Sequence, residues 1–270
     1  MLTVRHMKLC RPELPANDIT HRINTLRSFL VLLRLLILRR YDAFVTNFTT
    51  AEFPPFLKPC SASDPQLDAC VARAIQAAGP RFAEGLQEFG VAPLDPVRLG
   101  TVTVNNPALR LTFTDTVVTG LKGFRLNSVK MNPQKGKVTL DFVANVTLKA
   151  HYKMDGQVLI LPIRGDGQAK IKITNLNIII KYDYETENGH WRVPSYKDTY
   201  KMERAQFKFN NLFGGNNKEL SNTVHMVMNT NWESVIKDIA PVAFEQIIMA
   251  CVNEVKKFFS AVPAIDLLQP

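Results

Sequence analysis

Side chains able to do chemistry are sparse in this chain of 270 residues. Five histidines, His6, His21, His151, His190 and His225, are scattered along it. His151 occupies a polar position of an alternating run, and His225 alternates with Val224 and Met226. Both are expected to face solvent rather than to serve as a base or ligand. The four cysteines, Cys10, Cys60, Cys70 and Cys251, have no further Cys or His at metal-ligand spacing. Cys251 lies in an apolar run, where a lone thiol packs as a small core residue. No G-x-S-x-G elbow, no H-E-x-x-H pair and no phosphate-cradling glycine loop occurs. The expectation is a protein with no catalytic residues, no metal and no cofactor.

Three other features could act at a surface. Arg164-Gly165-Asp166 is the triplet of cell adhesion, but Gly165 and Gly167 also suit a turn between two strands, with glycine supplying positive φ at an exposed tip. The turn is the reading adopted. Asn47-Phe48-Thr49 and Asn145-Val146-Thr147 are glycosylation acceptors if the protein is secreted, and Asn145 falls on the polar face of its strand. Cys60 and Cys70 flank a loop that runs into a helix start. They are either one local bridge in an oxidising compartment or two reduced thiols.

The elements that must position these residues follow from the apolar periodicity. At 46% hydrophobic and 21% charged, the chain can bury a sizeable core. The net charge of +9 is concentrated at the N-terminus, where residues 1–51 hold 8 Lys/Arg against 3 Asp/Glu. The rest is only mildly basic, so nucleic acid is not expected as a partner. Within 1–51, SFLVLLRLLIL has the length of a signal-peptide core but is interrupted by Arg34 and followed by Arg39-Arg40. This segment reads as a secretory leader with an unusual start, or an N-terminal extension.

An extended proline-rich arm, EFPPFLKP, opens the remainder, 52–270. Asp64-Pro65 starts a helix in which Leu67, Val71, Ala74, Ile75 and Ala78 recur at helical spacing, and Gly79-Pro80 is expected to stop it. A short helix over 81–89 follows. From about 97 the period becomes two, with runs at 109–113, 138–142, 145–154, 169–173, 176–184, 207–209 and 224–228. In the clearest run, Val146, Leu148, Ala150, Tyr152 and Met154 share one face. Asp155-Gly156 signals a two-residue hairpin. A helix over 232–262 is apolar on most sides, with a narrow polar stripe of Glu233, Lys237, Glu245, Asn253 and Lys257. Such a helix needs a curved cover and such a sheet needs something to cover, so the class is α+β. A long C-terminal helix is wrapped by a curved antiparallel sheet, with the N-terminal helix as a lid. An apolar tunnel is expected inside.

Several blocks carry a resemblance: FPPFLKPC with a second Cys ten residues on, DPVRLGTVTV, GLKGFRLNSV, YKMDGQVLILPIRGDGQAKIKITN, FNNLFGGNNKEL, MNTNWESVIKDIAPV and FFSAVPAIDLL. In order and spacing they resemble the insect Takeout and haemolymph juvenile hormone-binding proteins from Glu52 to the end. The resemblance implies a tubular lipid-binding fold, secretion into haemolymph or another extracellular fluid, and a Cys60–Cys70 disulfide. It also implies carriage of a small hydrophobic ligand such as a juvenile hormone, another terpenoid or a fatty acid, with roles in circadian, feeding or chemosensory signalling. The haemolymph hormone carriers of the family have a second disulfide in the sheet region; this chain has no cysteine between Cys70 and Cys251, so it looks closer to the Takeout branch. The expected tunnel lining is Leu67, Val71 and Ile75 on the lid helix, Leu148, Tyr152 and Met154 on a strand, and Ile236, Phe244, Ile247 and Cys251 on the long helix. The Tyr152 hydroxyl is expected to orient the ligand. The carrier is read as a monomer, with a receptor left unidentified. The alternatives are a signalling or adhesion protein acting through a surface site, and a membrane-tethered lipid-exchange protein.

Overall fold

A computed structural model describes residues 57–270. The leader expected over 1–51, most of the arm, Asn47, Cys10, His6 and His21 lie outside them.

The chain enters at a two-residue strand, β1 (Cys60–Ser61), and passes into helix α1 (Leu67–Glu84). The Asp64 carboxylate accepts the Gln66 backbone N–H at 2.7 Å just ahead of the helix. Gly79-Pro80 does not stop α1, which runs through both residues. Gly79 is there for room: a Cβ at this position would collide with the Phe124 ring packed against the helix. The short helix expected over 81–89 is therefore the last turn of α1 followed by one 3-10 turn, Gln87–Phe89.

The sheet has eight strands, all antiparallel: β2 (Val97–Leu99), β3 (Val102–Asn105), β4 (Leu109–Thr119), β5 (Arg125–Asn132), β6 (Lys137–Val158), β7 (Leu161–Asp183), β10 (Tyr196–Lys201) and β11 (Arg204–Phe209). A small separate pair, β8 (Glu185–Glu187) with β9 (His190–Arg192), interrupts the order. The long β6–β7 hairpin is the spine, paired from Val158↔Leu161 to Lys137↔Asp183. Strands β5 and β4 cover successive halves of β6, and β10 and β11 cover successive halves of β7. At the midpoint the register slips between Ala144 and Val146, opposite Asn175 at φ +46°. Asn145 fills this bulge: its Oδ1 accepts the Asn175 N–H at 2.7 Å.

Three expectations about strands are corrected. Asp155-Gly156 lies inside β6, and the turn is Leu159-Ile160. Gly156 is required because a Cβ would strike the Ala108 carbonyl. Arg164-Gly165-Asp166-Gly167 is no turn either; it is mid-strand in β7, with Gly165 opposite Met154 and Gly167 opposite Tyr152. Neither glycine is needed for positive φ. A Cβ on Gly165 would collide with the Tyr152 hydroxyl, and one on Gly167 would come within 2.6 Å of the Asn210 carbonyl. Finally, 224–228 is not a strand but part of helix α2 (Lys218–Thr230), where Val224 and Met228 are buried four residues apart.

Helix α3 (Trp232–Ala261) matches the expected long helix and is followed by α4 (Ala264–Leu267) and β12 (Leu268–Gln269), which pairs with β1. Edge strands β2 and β3 contact α3, and so does β11 from the other side of the sheet, which requires the sheet to curve around the helix. Pro241 and Met249 complete the exposed stripe seen in the sequence, giving a position every four residues from Glu233 to Lys257. Because α-helical side chains turn about 100° per residue, a four-residue repeat drifts by roughly 40° per step. The exposed stripe therefore winds around α3, and the covering sheet winds with it.

Candidate functional site

Strand β6 has one inward face but two kinds of interior behind it. In its second half, Leu148, Ala150, Tyr152 and Met154 are buried in the main core, together with residues of α3 and β11. In its first half, Leu140 and Phe142 on the same face are only half-buried, because they look into a cavity. The cavity has a volume of about 360 Å³, within the range of sites for small organic ligands.

Three walls enclose it. The first is α1, through Val71, Ala74, Ile75, Ala78 and Phe82. The second is the sheet, through Val138, Leu140 and Phe142 of β6, Ile180 and Tyr182 of β7, and Leu126 and Met131 of β5. The third is the last third of α3, with Cys251, Val252, Val255, Phe258 and Phe259. Cys60 and Leu268 add the β1–β12 pair, and Leu267 the end of α4. The disulfide between Cys60 and Cys70 is formed, joining β1 to the first turn of α1 and so fixing one edge of the wall. α1 is held over the sheet by side chains that satisfy the edge of β5. The Asp68 carboxylate accepts the Met131 N–H at 2.8 Å, and Gln76 accepts the Leu126 N–H at 2.8 Å.

The lining is almost wholly apolar. Its polar residues are few: Lys58, Asp266, Trp191, and Tyr182 and Tyr196, which are opposite each other in register on β7 and β10. Neither hydroxyl makes a hydrogen bond among the described residues. Burial, with Tyr184 adding, pushes the Tyr182 phenol well above its ordinary value. It therefore stays a neutral O–H at physiological pH, able to donate to a ligand oxygen. Burial also pushes the Cys251 thiol up to about 12, with Glu254 contributing, so it lines the wall as an unreactive thiol.

Of the residues expected to line a tunnel, Val71, Ile75 and Cys251 meet at this cavity. The others do not reach it. Leu148, Tyr152, Met154, Ile236 and Phe244 are buried in the main core, and Ile247 packs against it. They fill the half of the sheet that α3 occupies directly. Leu67, at the first residue of α1, is buried outside the lining. The Tyr152 hydroxyl is not available to orient a ligand: it donates to the Asn210 carbonyl at 2.7 Å, with the ring edge-on to Phe209. Sequence reasoning missed the aromatic end of the cavity, Phe142, Tyr182, Trp191, Phe258 and Phe259. The density of aromatic residues between 182 and 200 was the available signal.

The remaining candidates are placed as follows. His225 is part-buried rather than in solvent: Nδ1–H donates to the Ser221 carbonyl and Nε2 accepts the Phe209 N–H at 2.9 Å, which makes the ring a link between α2 and β11. His151 is part-exposed, 2.8 Å from Asp166. Asn145 is exposed, and its amide nitrogen makes no hydrogen bond among the described residues. Among the described residues, no helix is long and apolar enough to cross a membrane, and no group of His, Cys, Asp or Glu is placed to hold a metal ion.

The chain matches the family of haemolymph juvenile hormone binding proteins over residues 41–269. It is similar to the crystal structure of Takeout 1 from Epiphyas postvittana, at 33% identity and a TM-score of 0.75, covering 79% of this chain and 100% of that one. The circadian clock-controlled protein daywake of Drosophila melanogaster is 29% identical over 209 residues, which is 70% of this chain and 78% of that protein. The Drosophila yakuba daywake protein is 28% identical over the same length.

Proposed function

Since the chain belongs to the haemolymph juvenile hormone binding protein family, we propose that it is a secreted carrier which encloses one small hydrophobic ligand between α1, the first half of β6 and the end of α3. The observation that carries this reading is the cavity itself. An apolar space of this size forfeits packing on every wall, a loss that grows by about 24 cal/mol per Å³ in cores that cannot relax. A ligand that fills it recovers those contacts and gains about 0.8 kcal/mol for each methylene removed from water.

The neutral Tyr182 hydroxyl, with Tyr196 opposite, gives the ligand one polar anchor at the aromatic end. This suits a long apolar molecule with a single oxygen function, such as a terpenoid ester or epoxide, or a fatty acid bound in its protonated form. A circadian role is suggested by the clock-controlled relatives. The Cys60–Cys70 disulfide supports an oxidising, extracellular destination, with residues 1–51 as the leader and Asn145 as a glycan acceptor. Removal of a glycan by an N-glycosidase, seen as a mass shift lost in Asn145→Gln, checks the last point.

The experiment is native mass spectrometry of protein secreted from insect cells, followed by displacement with juvenile hormones, fatty acids and odorants. A copurifying apolar molecule, displaced at least tenfold less tightly bound in Ala74→Phe, is expected. An interior that holds only water, and no displacement by any of the panel, overturns the carrier.

A further inference from the structure

The outward face of the sheet gathers charge that the sequence scatters. Lys149 on β6, Lys170 on β7 and Lys208 on β11 are directly opposite one another in register, so three ammonium groups stand in one row across adjacent strands. Lys172 is two residues along β7 on the same face. Further along, Lys181 and Lys197 are likewise opposite each other on β7 and β10. Among the described residues, none of these lysines forms an ion pair. Of the acids on this face, Asp166 is engaged by His151 and Asp155 by Arg110 and Arg164, while Asp115, exposed in the β4 bulge between the partners of His151 and Lys149, forms no ion pair with the row. Like charges directly opposite on a sheet are destabilising. The fold thus keeps a row that works against its own stability.

We propose that the row Lys149–Lys170–Lys208, with Lys172, is a docking surface for a linear sulfated polysaccharide. Its charge calls for a polyanion, and its shape selects which kind. The sheet is convex outward because it wraps α3, and the row runs across the strands, around that curve. A flexible chain can follow the curve and meet each ammonium, whereas a planar bilayer touches only part of it. The outward neighbours are Val117, Thr147, His151, Gln168 and Gln206. No Phe, Tyr or Trp stands among them to stack on nucleobases or to seat in a lipid headgroup layer. Lysine supplies point charges without the fork that selects one fixed phosphate or carboxylate, which matches anions distributed along a chain. Carrier and polysaccharide would then be held together outside the cell, with the cavity left free on the inner side of the same sheet.

The test is elution of the deglycosylated protein from immobilised heparin. The triple variant Lys149→Gln, Lys170→Gln, Lys208→Gln is compared with a helix control of equal charge, Lys218→Gln, Lys237→Gln, Lys256→Gln. The sheet triple is expected to lose at least tenfold in heparin affinity at about 0.15 M salt. Its log–log salt slope should fall by about two to three, while the control changes less than twofold. Its melting temperature should equal or exceed that of the parent, since it removes repulsion between lysines directly opposite one another. Equal losses in both triples, or a lower melting temperature in the sheet triple, overturn the proposal. Stronger retention by phosphatidylserine vesicles than by heparin overturns it in favour of a membrane, and equal retention by oligo-dT overturns it in favour of unspecific polyanion attraction.

Discussion

Gly165 faces the Tyr152 hydroxyl across the β6–β7 pair, so an added methyl group has nowhere to go. Tyr152 is fully enclosed and committed to the Asn210 carbonyl. Gly165→Ala is therefore expected to destabilise by about 1–3 kcal/mol, the range for overpacking. Tyr152→Phe should cost about 1 kcal/mol for the lost hydrogen bond. Because the phenol oxygen is the obstacle, the double variant should be more stable than the sum of the singles, by an interaction of about 0.5 kcal/mol or more in urea unfolding. Additive effects would mean that the clash is relieved by some other shift. A pH dependence belongs to the same residues. Burial raises the Tyr152 phenol from 10.0 to about 12, with Asp166 adding, and the Cys251 thiol from 9.0 to about 12. Both are acids kept neutral by the fold. Their contribution is fully present below pH 9, and it is lost as the unfolded chain ionises first, between about pH 9 and 12. Melting temperature should fall across that window, and less steeply in Tyr152→Phe. The alternation over 146–154 was legible because buried and solvated side chains simply take turns. The reason for Gly165 and Gly167 was not, because it lies in residues from other strands, and in sequence a glycine that makes room looks like a glycine that turns.

At the scale of elements, α1 shows how an intrinsic preference is overridden. Glycine inside a helix is about 1 kcal/mol less favourable than alanine, so Gly79→Ala would ordinarily stabilise. Here the Phe124 ring occupies the Cβ position. The sign should invert, with Gly79→Ala lowering the melting temperature and Gly79→Ala with Phe124→Leu restoring part of it. The docking of α1 also rests on Asp68 and Gln76, which cap backbone N–H groups of β5. Both contacts are solvent-exposed, so Asp68→Ala and Gln76→Ala should each cost only about 0.5–1.5 kcal/mol. The loss should be local: faster hydrogen exchange in α1 and β5 with that of β7 unchanged. Helical spacing in 67–78 was readable because one face of α1 is apolar. Its continuation through Gly79-Pro80 was hidden because the supporting ring comes from a distant segment. The misassignment of 224–228 has a related origin: five residues satisfy period two and period 3.6 almost equally, and only the caps and the partner decide.

For the molecule as a whole, the fold was legible and the cavity was not. An apolar helix longer than any single face can bury, together with a one-sided sheet, leaves few arrangements besides wrapping. Yet core and cavity wall carry the same residues. Leu148 and Leu140 belong to one strand and one face, and only the distance of α3 and α1 from the sheet separates a packed side chain from a ligand contact. The Cys60–Cys70 link closes a short loop at the cavity edge. Replacing both cysteines with serine should lower stability by roughly 3 kcal/mol on the loop-entropy estimate, and it should weaken ligand retention because α1 loses its tie to β1. The cavity itself gives the sharpest expectation. Ala74→Phe places a ring in the empty space, so it should raise the melting temperature of the ligand-free protein while blocking the site. In the parent, a ligand at a hundred times its Kd should add about 2.7 kcal/mol of stability, and in Ala74→Phe that increment should fall to about 1.4 kcal/mol or less. The two melting curves must then cross as ligand is added, with the variant more stable without ligand and the parent more stable with it. A variant that is less stable at every ligand concentration would show that the space is not one that a side chain can fill, and the carrier reading would lose its physical basis.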